Sequence, residues 1–250
     1  MDVAILTVGD ELLAGDTENT NATWLARRLT ERGATVRRIL TVPDDEGVIA
    51  ETVREWSGAY SAVVVTGGLG GTHDDLTMDG VAAAFGRPLV VNEEARADVL
   101  ETVAAFRESN PELAEAYDLE IDADAQASIP QGSRPLLNPA GLSPGCVTEN
   151  VYVLPGIPEE MRAMFELVAD EFGGDGVSET LFTPAPEGAV TKQLAEVRDR
   201  FDVAVGSYPT RGDEYNRIKV TGRDAESVRA AVTWLRERVE IVESEDTGGK

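Results

Sequence analysis

Cysteine, histidine and lysine are nearly absent from this 250-residue chain: Cys146 and His73 stand alone, and Lys192, Lys219 and Lys250 are the only lysines. A single cysteine excludes intrachain disulfides and any zinc site built from several thiolates. A thiol nucleophile needs a base beside it, and nothing near Cys146 in the sequence supplies one. With so little lysine and no basic stripe, nucleic acid is not an expected partner, because phosphate backbones need a basic face. No apolar run approaches the length of a membrane-spanning helix. The first residues enter a strand pattern, Val3-Ala4-Ile5-Leu6, with no basic leader before it, so a cytoplasmic location is expected and a membrane partner is not.

What the chain has in excess is acid. It carries 46 Asp and Glu against 22 Lys and Arg, a net charge of −24. The two arginine doublets, Arg27-Arg28 and Arg37-Arg38, each sit among acids on a solvated helix or strand edge. Such a surface repels itself in dilute salt, which suits a high-salt interior. The unfolding midpoint is therefore expected to fall steadily as KCl is diluted from 1 M, where the Debye length is about 3 Å, to 0.01 M, where it is about 30 Å. A midpoint flat across that range would remove the high-salt reading.

The order of elements predicts an α/β fold, a three-layer, parallel-type sheet with a second, smaller α+β domain. Strands at Val3–Val8, Thr35–Val42 and Ala62–Thr66 alternate with helices at Thr20–Arg32, Glu46–Trp56 and Thr77–Phe85. Such βαβ order gathers ligands at the carboxyl ends of the strands. Acidic, alanine-rich helices follow at Glu93–Glu108 and Pro111–Tyr117, then strands near Leu136-Leu137 and Val151–Leu154 and a helix from Pro158 to Phe172. The glycine run Gly173–Gly176 reads as a hinge. Domain boundaries are expected at 1–172 and 177–243, with a disordered polar tail at 244–250.

The most informative segment is Thr66 to Thr77, T-G-G-L-G-G-T-H-D-D-L-T, which follows the apolar run Ala62-Val63-Val64-Val65. Glycine lets backbone N–H groups close around a charged oxyanion. The segment is neither a P-loop nor a G-x-G-x-x-G dinucleotide turn. Two carboxylates, Asp74 and Asp75, beside a phosphate cradle would repel the ligand unless a cation sat between them, so the pattern suggests phosphate with divalent-metal chemistry. Asp74 or Asp75 could instead serve as the N-cap of the helix that follows. Three further segments end strands of the same sheet. Gly9–Gly15, G-D-E-L-L-A-G, adds the acidic pair Asp10 and Glu11, which is a second metal-binding candidate or a helix cap. Asn138–Gly145, N-P-A-G-L-S-P-G, is a turn-rich loop whose backbone can approach a ligand or simply connect two strands. Leu154–Met161, L-P-G-I-P-E-E-M, starts a helix after Pro155 and Gly156 and leaves N–H groups near Glu159 pointing at the crevice.

These four segments, with N-T-N-A at Asn19–Ala22 and G-S-Y-P at Gly206–Pro209, resemble the molybdopterin-binding (MoCF-type) domain, specifically the competence/damage-inducible protein A (CinA) N-terminal branch. Gly71 stands where that pattern usually has proline, and Asn19 where it usually has aspartate. The resemblance implies a site for a pterin phosphate or a nucleotide pyrophosphate, and in the CinA branch a metal-dependent pyrophosphatase acting on ADP-ribose or related compounds. The amidase domain of longer CinA proteins is not found in the sequence, so its activity is not carried over.

The expected function is hydrolysis of the pyrophosphate of an ADP-ribose-like or flavin dinucleotide. Thr66, Gly67, Gly68, Gly70 and Gly71 would hold phosphate oxygens, with hydroxyl bonds from Thr72 and Thr77 and further contacts at Asn138, Gly145, Pro155, Gly156 and Glu159. Asp75 and Asp74 would hold a divalent ion (Mg, Mn, Co or Ni), with Asp10 and Glu11 as additional catalytic candidates. Histidine as a residue type suits acid–base work, but His73 occupies a spacer position in the family pattern. A molybdopterin adenylyltransferase and a non-catalytic nucleotide-binding protein are the alternatives. The expected partner is a small nucleotide or pterin, with self-association as a dimer or trimer.

Overall fold

The computed structural model describes residues 1–71, 74–112, 121–209 and 215–242. By compactness the chain divides into two units, Met1–Leu29 with Thr35–Phe172, and Thr30–Ala34 with the residues from Gly173 onward. The tail at 244–250, most of the helix expected at Pro111–Tyr117, and Thr72 and His73 lie outside the described residues.

In the first unit β1 (Asp2–Val8), β2 (Thr35–Val42) and β3 (Ala62–Thr66) are parallel, joined through α2 (Thr20–Glu31) and α3 (Glu46–Ala59). A short helix, α1 (Asp10–Ala14), turns the chain directly after β1. Beyond β3 come α4 (Thr77–Phe85), β4 (Leu89–Val91), α5 (Glu93–Ser109), α6 (Ala123–Gln126), β5 (Ser128–Pro130), β6 (Arg134–Leu136), β7 (Gly145–Thr148), β8 (Val151–Leu154) and α7 (Pro158–Val168). The six-stranded sheet runs β2-β1-β3-β8-β7-β6. The α/β class expected from the sequence holds, with one correction. β8 is parallel to β3, but β7 runs antiparallel to both of its neighbours, β8 and β6, which makes the mostly parallel sheet mixed.

The central strands are apolar because both faces are covered. Ala4, Leu6, Val8, Val63, Val65, Val151 and Val153 form one core with Ile49, Val53 and Trp56 of α3 and Val81 and Ala84 of α4. On the alternate positions Val3, Ile5 and Val64 are also fully buried, as period-two alternation between two helical layers requires. Trp24 of α2 meets Phe165 of α7 edge-on, with ring centroids 5.5 Å apart. The register aligns Thr7, Thr66 and Leu154 across β1, β3 and β8. Three strand ends thus open at one level, and the loops that follow them share one crevice.

The second unit is a three-stranded antiparallel sheet, β10 (Ala204–Tyr208), β11 (Asn216–Gly222) and β9 (Val177–Thr183) in that order, with α8 (Glu187–Arg200) and α9 (Ala225–Arg236). Leu181, Ile218 and Val220 pack against Val190, Val197, Val228 and Leu235. Its own buried core accounts for its compactness.

Candidate functional site

The glycine loop leaves β3 through two left-handed residues, Gly67 at φ 106° and Gly68 at φ 60°. A Cβ on Gly67 would stand 2.1 Å from the Val8 carbonyl oxygen, so the end of β3 is pressed against the end of β1. Gly67 N–H donates to the Leu154 carbonyl at 3.3 Å and Thr77 N–H to that of Gly68 at 3.2 Å. The loop is thereby anchored at both ends. Leu69 is buried in the core, while Gly70 and Gly71 are exposed at the rim.

Two cavities flank this loop. The smaller, about 240 Å³, is lined by Glu11, Asp44, Asp74 and Asp75, together with Asn21, Thr66, Gly67 and Gly68. No lysine or arginine among the described residues lines it. The larger, about 930 Å³, is lined on its apolar side by Leu69, Met78, Leu142, Pro144 and Ile157, and on its polar side by Asp122, Gln126 and Glu160. Gly68, Asp75 and Gly156 belong to both linings, so the cavities meet at the loop.

The second acidic pair, Asp10 and Glu11, is divided between two places. Glu11 lines the smaller cavity. Asp10 opens α1, and its backbone N–H donates to Asp44 Oδ2 at 2.9 Å. Asp44 itself was missed by the sequence reading. It follows β2, beside Asp45, and the two acids divide the work: Asp45 Oδ1 caps α3 by accepting from Val48 N–H at 2.9 Å. Only one cap is needed, so an adjacent pair of acids after a third strand end was the available signal.

Burial is the main cause that holds the Asp44 carboxyl above its ordinary 3.8. The Asp10 N–H opposes it, and the nearby Asp10, Glu11 and Asp74 carboxylates add to it. A carboxyl raised in this way binds its proton more readily folded than unfolded, so its contribution to stability is most favourable at low pH and declines as pH rises above 3.8 through the folded value. Asp44→Asn is therefore expected to raise the melting temperature at pH 7 in metal-free buffer. A lower melting temperature would contradict this electrostatic account.

The capping alternative for Asp74 and Asp75 does not hold. The N-cap position of α4 is Leu76, which makes no side-chain capping bond. Asp75 instead lies against Gly70, where an added Cβ would come within 2.5 Å of its Oδ2. Among the described residues no three acidic, histidine or cysteine side chains form a ready-made metal cage.

The remaining expected contacts fall into two groups. Thr66 lines the smaller cavity and donates its hydroxyl to the Pro155 carbonyl at 2.6 Å, while Pro155 lines the larger one. Asn138, Gly145, Thr77 and Glu159 line neither cavity. The Asn138 side chain donates to the Ser143 carbonyl at 3.0 Å and to Glu160 Oε2 at 2.7 Å, which folds the 138–145 loop on itself. Gly145 belongs to β7, where a Cβ would stand 2.1 Å from the Val153 carbonyl oxygen; its glycine serves strand pairing. Thr77 is fully buried, and its hydroxyl has no partner among the described residues. On α7 it is Glu160, not Glu159, that faces the larger cavity.

Cys146 is buried in the core, and burial pushes its thiol up to about 12, against a weaker contact with the Thr148 hydroxyl. At pH 8 that leaves roughly one part in 10⁴ as thiolate. Native protein is expected to resist a thiol reagent that labels the urea-unfolded chain completely. Equal labelling rates would show the thiol to be accessible.

The sequence model described as "Probable molybdopterin binding domain" matches residues 4–173, and that of "FAD synthase, middle domain" matches residues 176–246. A protein of Archaeoglobus fulgidus is 39% identical over 239 residues, covering 95% of this chain and 97% of its own length. One of Pyrococcus horikoshii is 37% identical, covering 92% and 93%. Among solved structures, CinA of Thermoplasma acidophilum, a protein of unknown function, is similar at 34% identity and a TM-score of 0.60, over 69% of this chain and 99% of that one. Among the described residues no helix is long and apolar enough to cross a membrane.

Proposed function

The chain belongs to the molybdopterin-binding domain family, and from that premise we propose that it hydrolyses the pyrophosphate of an ADP-ribose-like or flavin dinucleotide with the help of a divalent metal ion. The observation that carries this reading is the junction of the two cavities at Gly68, Asp75 and Gly156. A pyrophosphate placed at the glycine loop would leave one end of a dinucleotide in the acidic cavity and the other in the larger, partly apolar one.

The acidic cavity cannot receive an anion unaided, since five acidic residues, Glu11, Glu18, Asp44, Asp74 and Asp75, and no cationic side chain among the described residues line it. A divalent ion resolves this conflict. Mg²⁺ in particular is bound through one or two carboxylates, substrate phosphates and water, so a ready-made cage of three side chains is not required. Asp74 and Asp75 are the residues that would hold it. Such an ion would polarise the phosphoryl group and lower the pKa of an attacking water. The chain's own groups do the rest. Gly67 and Gly68 keep the loop backbone close enough to approach phosphate, because no side chain intervenes. Burial and the neighbouring acids raise the Asp44 carboxyl above its ordinary value, which makes it a stronger proton acceptor than an unperturbed aspartate. Self-association as a dimer or trimer is part of the same proposal.

Calorimetry of ADP-ribose binding with and without Mg²⁺ tests this reading. Affinity is expected to increase by more than about 10-fold with the metal, as the carboxylate repulsion is relieved. Equal affinity in EDTA would overturn the metal-bridged site.

A further inference from the structure

The larger cavity holds one side chain that the proposed chemistry leaves unused. Gln126 closes the four-residue helix α6, and its Nε2 donates to the Leu69 carbonyl at 3.0 Å and to Ser143 Oγ at 2.8 Å. A carbonyl oxygen can only accept, so the contact with Leu69 fixes which end of the amide faces it. The two partners lie on different loops, the glycine loop and the 138–145 loop. α6 is itself held in place. Asp122 Oδ1 accepts from the N–H groups of Asp124 at 3.1 Å and Ala125 at 3.0 Å, and Asp124 pairs with Arg96 of α5.

We propose that Gln126 is a positioning residue for the phosphate loop, clamping the Leu69 carbonyl to the 138–145 loop and so aiming the Gly70 N–H. In a trans peptide the carbonyl and the N–H of one bond point in opposite directions, so a fixed Leu69 carbonyl fixes the Gly70 N–H. Leu69 lies between Gly68 and Gly70, and glycine offers little resistance to rotation of the intervening peptide planes. The clamp supplies the constraint that the glycines lack. Gly71 approaches the same side chain, since a Cβ there would meet Gln126 Oε1 at 3.4 Å. The kinetic consequence rests on the pyrophosphatase reading; the structural one does not.

The test uses the full chain with Gln126→Ala and Gln126→Glu. Hydrogen exchange without ligand is expected to accelerate at residues 68–71 and 138–143 in Gln126→Ala, with the β1 and β3 amides unchanged. The KM for ADP-ribose is expected to rise on the order of 10-fold as two neutral hydrogen bonds are lost. Gln126→Glu separates clamping from packing. As a carboxylate it repels the Leu69 carbonyl and is expected to be worse than alanine at pH 8; protonated, it donates again and is expected to recover toward wild type at pH 5. Asp75 from the glycine loop, Asp79 of α4, Asp122 beside α6 and Glu160 of α7 share its cavity, and all favour the protonated form. Arg96 is engaged by Asp124. Unchanged loop exchange in Gln126→Ala, or a Gln126→Glu variant that follows alanine at every pH, would overturn the assignment. If wild type hydrolyses no pyrophosphate, the functional reading fails while the exchange experiment still decides on the clamp.

Discussion

Asp75→Asn is expected to reduce pyrophosphate hydrolysis by on the order of 100-fold or more while leaving the metal-free melting temperature nearly unchanged. The size of the loss follows from removing charge at the point where the metal and phosphate would meet, where single electrostatic contacts are worth about 10²–10³ in rate. The small effect on stability follows from the geometry. Asp75 does not cap α4, whose N-cap position is Leu76, and neutralising one of the acids around the smaller cavity relieves repulsion. Asp75→Ala is expected to lose the same activity. Turnover and melting temperature of the three proteins, with and without Mg²⁺, are the measurement. An asparagine variant with undiminished turnover removes Asp75 from the site.

Gly67→Ala carries the largest expected cost in stability, about 3 kcal/mol or more. Two penalties combine at this residue. An L side chain at φ 106° is strained wherever it points, and here its Cβ would stand 2.1 Å from the Val8 carbonyl oxygen. Backbone on both sides of the clash belongs to the ends of β1 and β3, so relief requires moving the sheet edge that forms the crevice. The melting temperature is expected to fall by about 10 °C. Gly71→Ala is the control: among the described residues its Cβ would make an ordinary contact at 3.4 Å from Gln126, at a φ that L residues adopt. A Gly67→Ala protein as stable as Gly71→Ala would show that the loop does not leave β3 in this conformation.

The legible elements were those with a repeating pattern or an unbroken apolar run that stands out from its flanks. Thr35–Val42, Ala62–Thr66, Thr77–Phe85 and Val151–Leu154 have the bounds the sequence suggested. Of the elements of three to five residues, β3 and β8 stood out as unbroken apolar runs, and several others were not legible. α1, β4, α6, β5 and β7 are too short to show a period, and the terminal glycine of the Asn138–Gly145 turn is in fact the first residue of β7. That glycine reflects close approach to Val153, a tertiary contact that no local pattern reports. The antiparallel edge was hidden for a similar reason. β7 and β8 are joined at Glu149-Asn150, where Glu149 adopts φ 53° without the glycine that usually announces such a turn.

At the site, the glycine loop and the Asp10-Glu11 and Asp74-Asp75 pairs were visible as strand-end clusters, whereas Asp44, between a strand and a helix, was missed. Its role depends on β2 lying next to β1, which the topology supplies. Gln126 gave no signal at all. It comes from a four-residue helix far along the chain and reaches the glycine loop only after folding.

The most direct test of the central claim is to incubate the full chain with ADP-ribose, FAD, NADH and molybdopterin plus ATP, in high salt, with Mg²⁺, Mn²⁺, Co²⁺ or Ni²⁺ or with EDTA, and to separate the products. Metal-dependent release of AMP from ADP-ribose or FAD, absent in EDTA, is the predicted result. Adenylylated molybdopterin as the sole product, or no cleavage of any dinucleotide with any of the four metals, would contradict it.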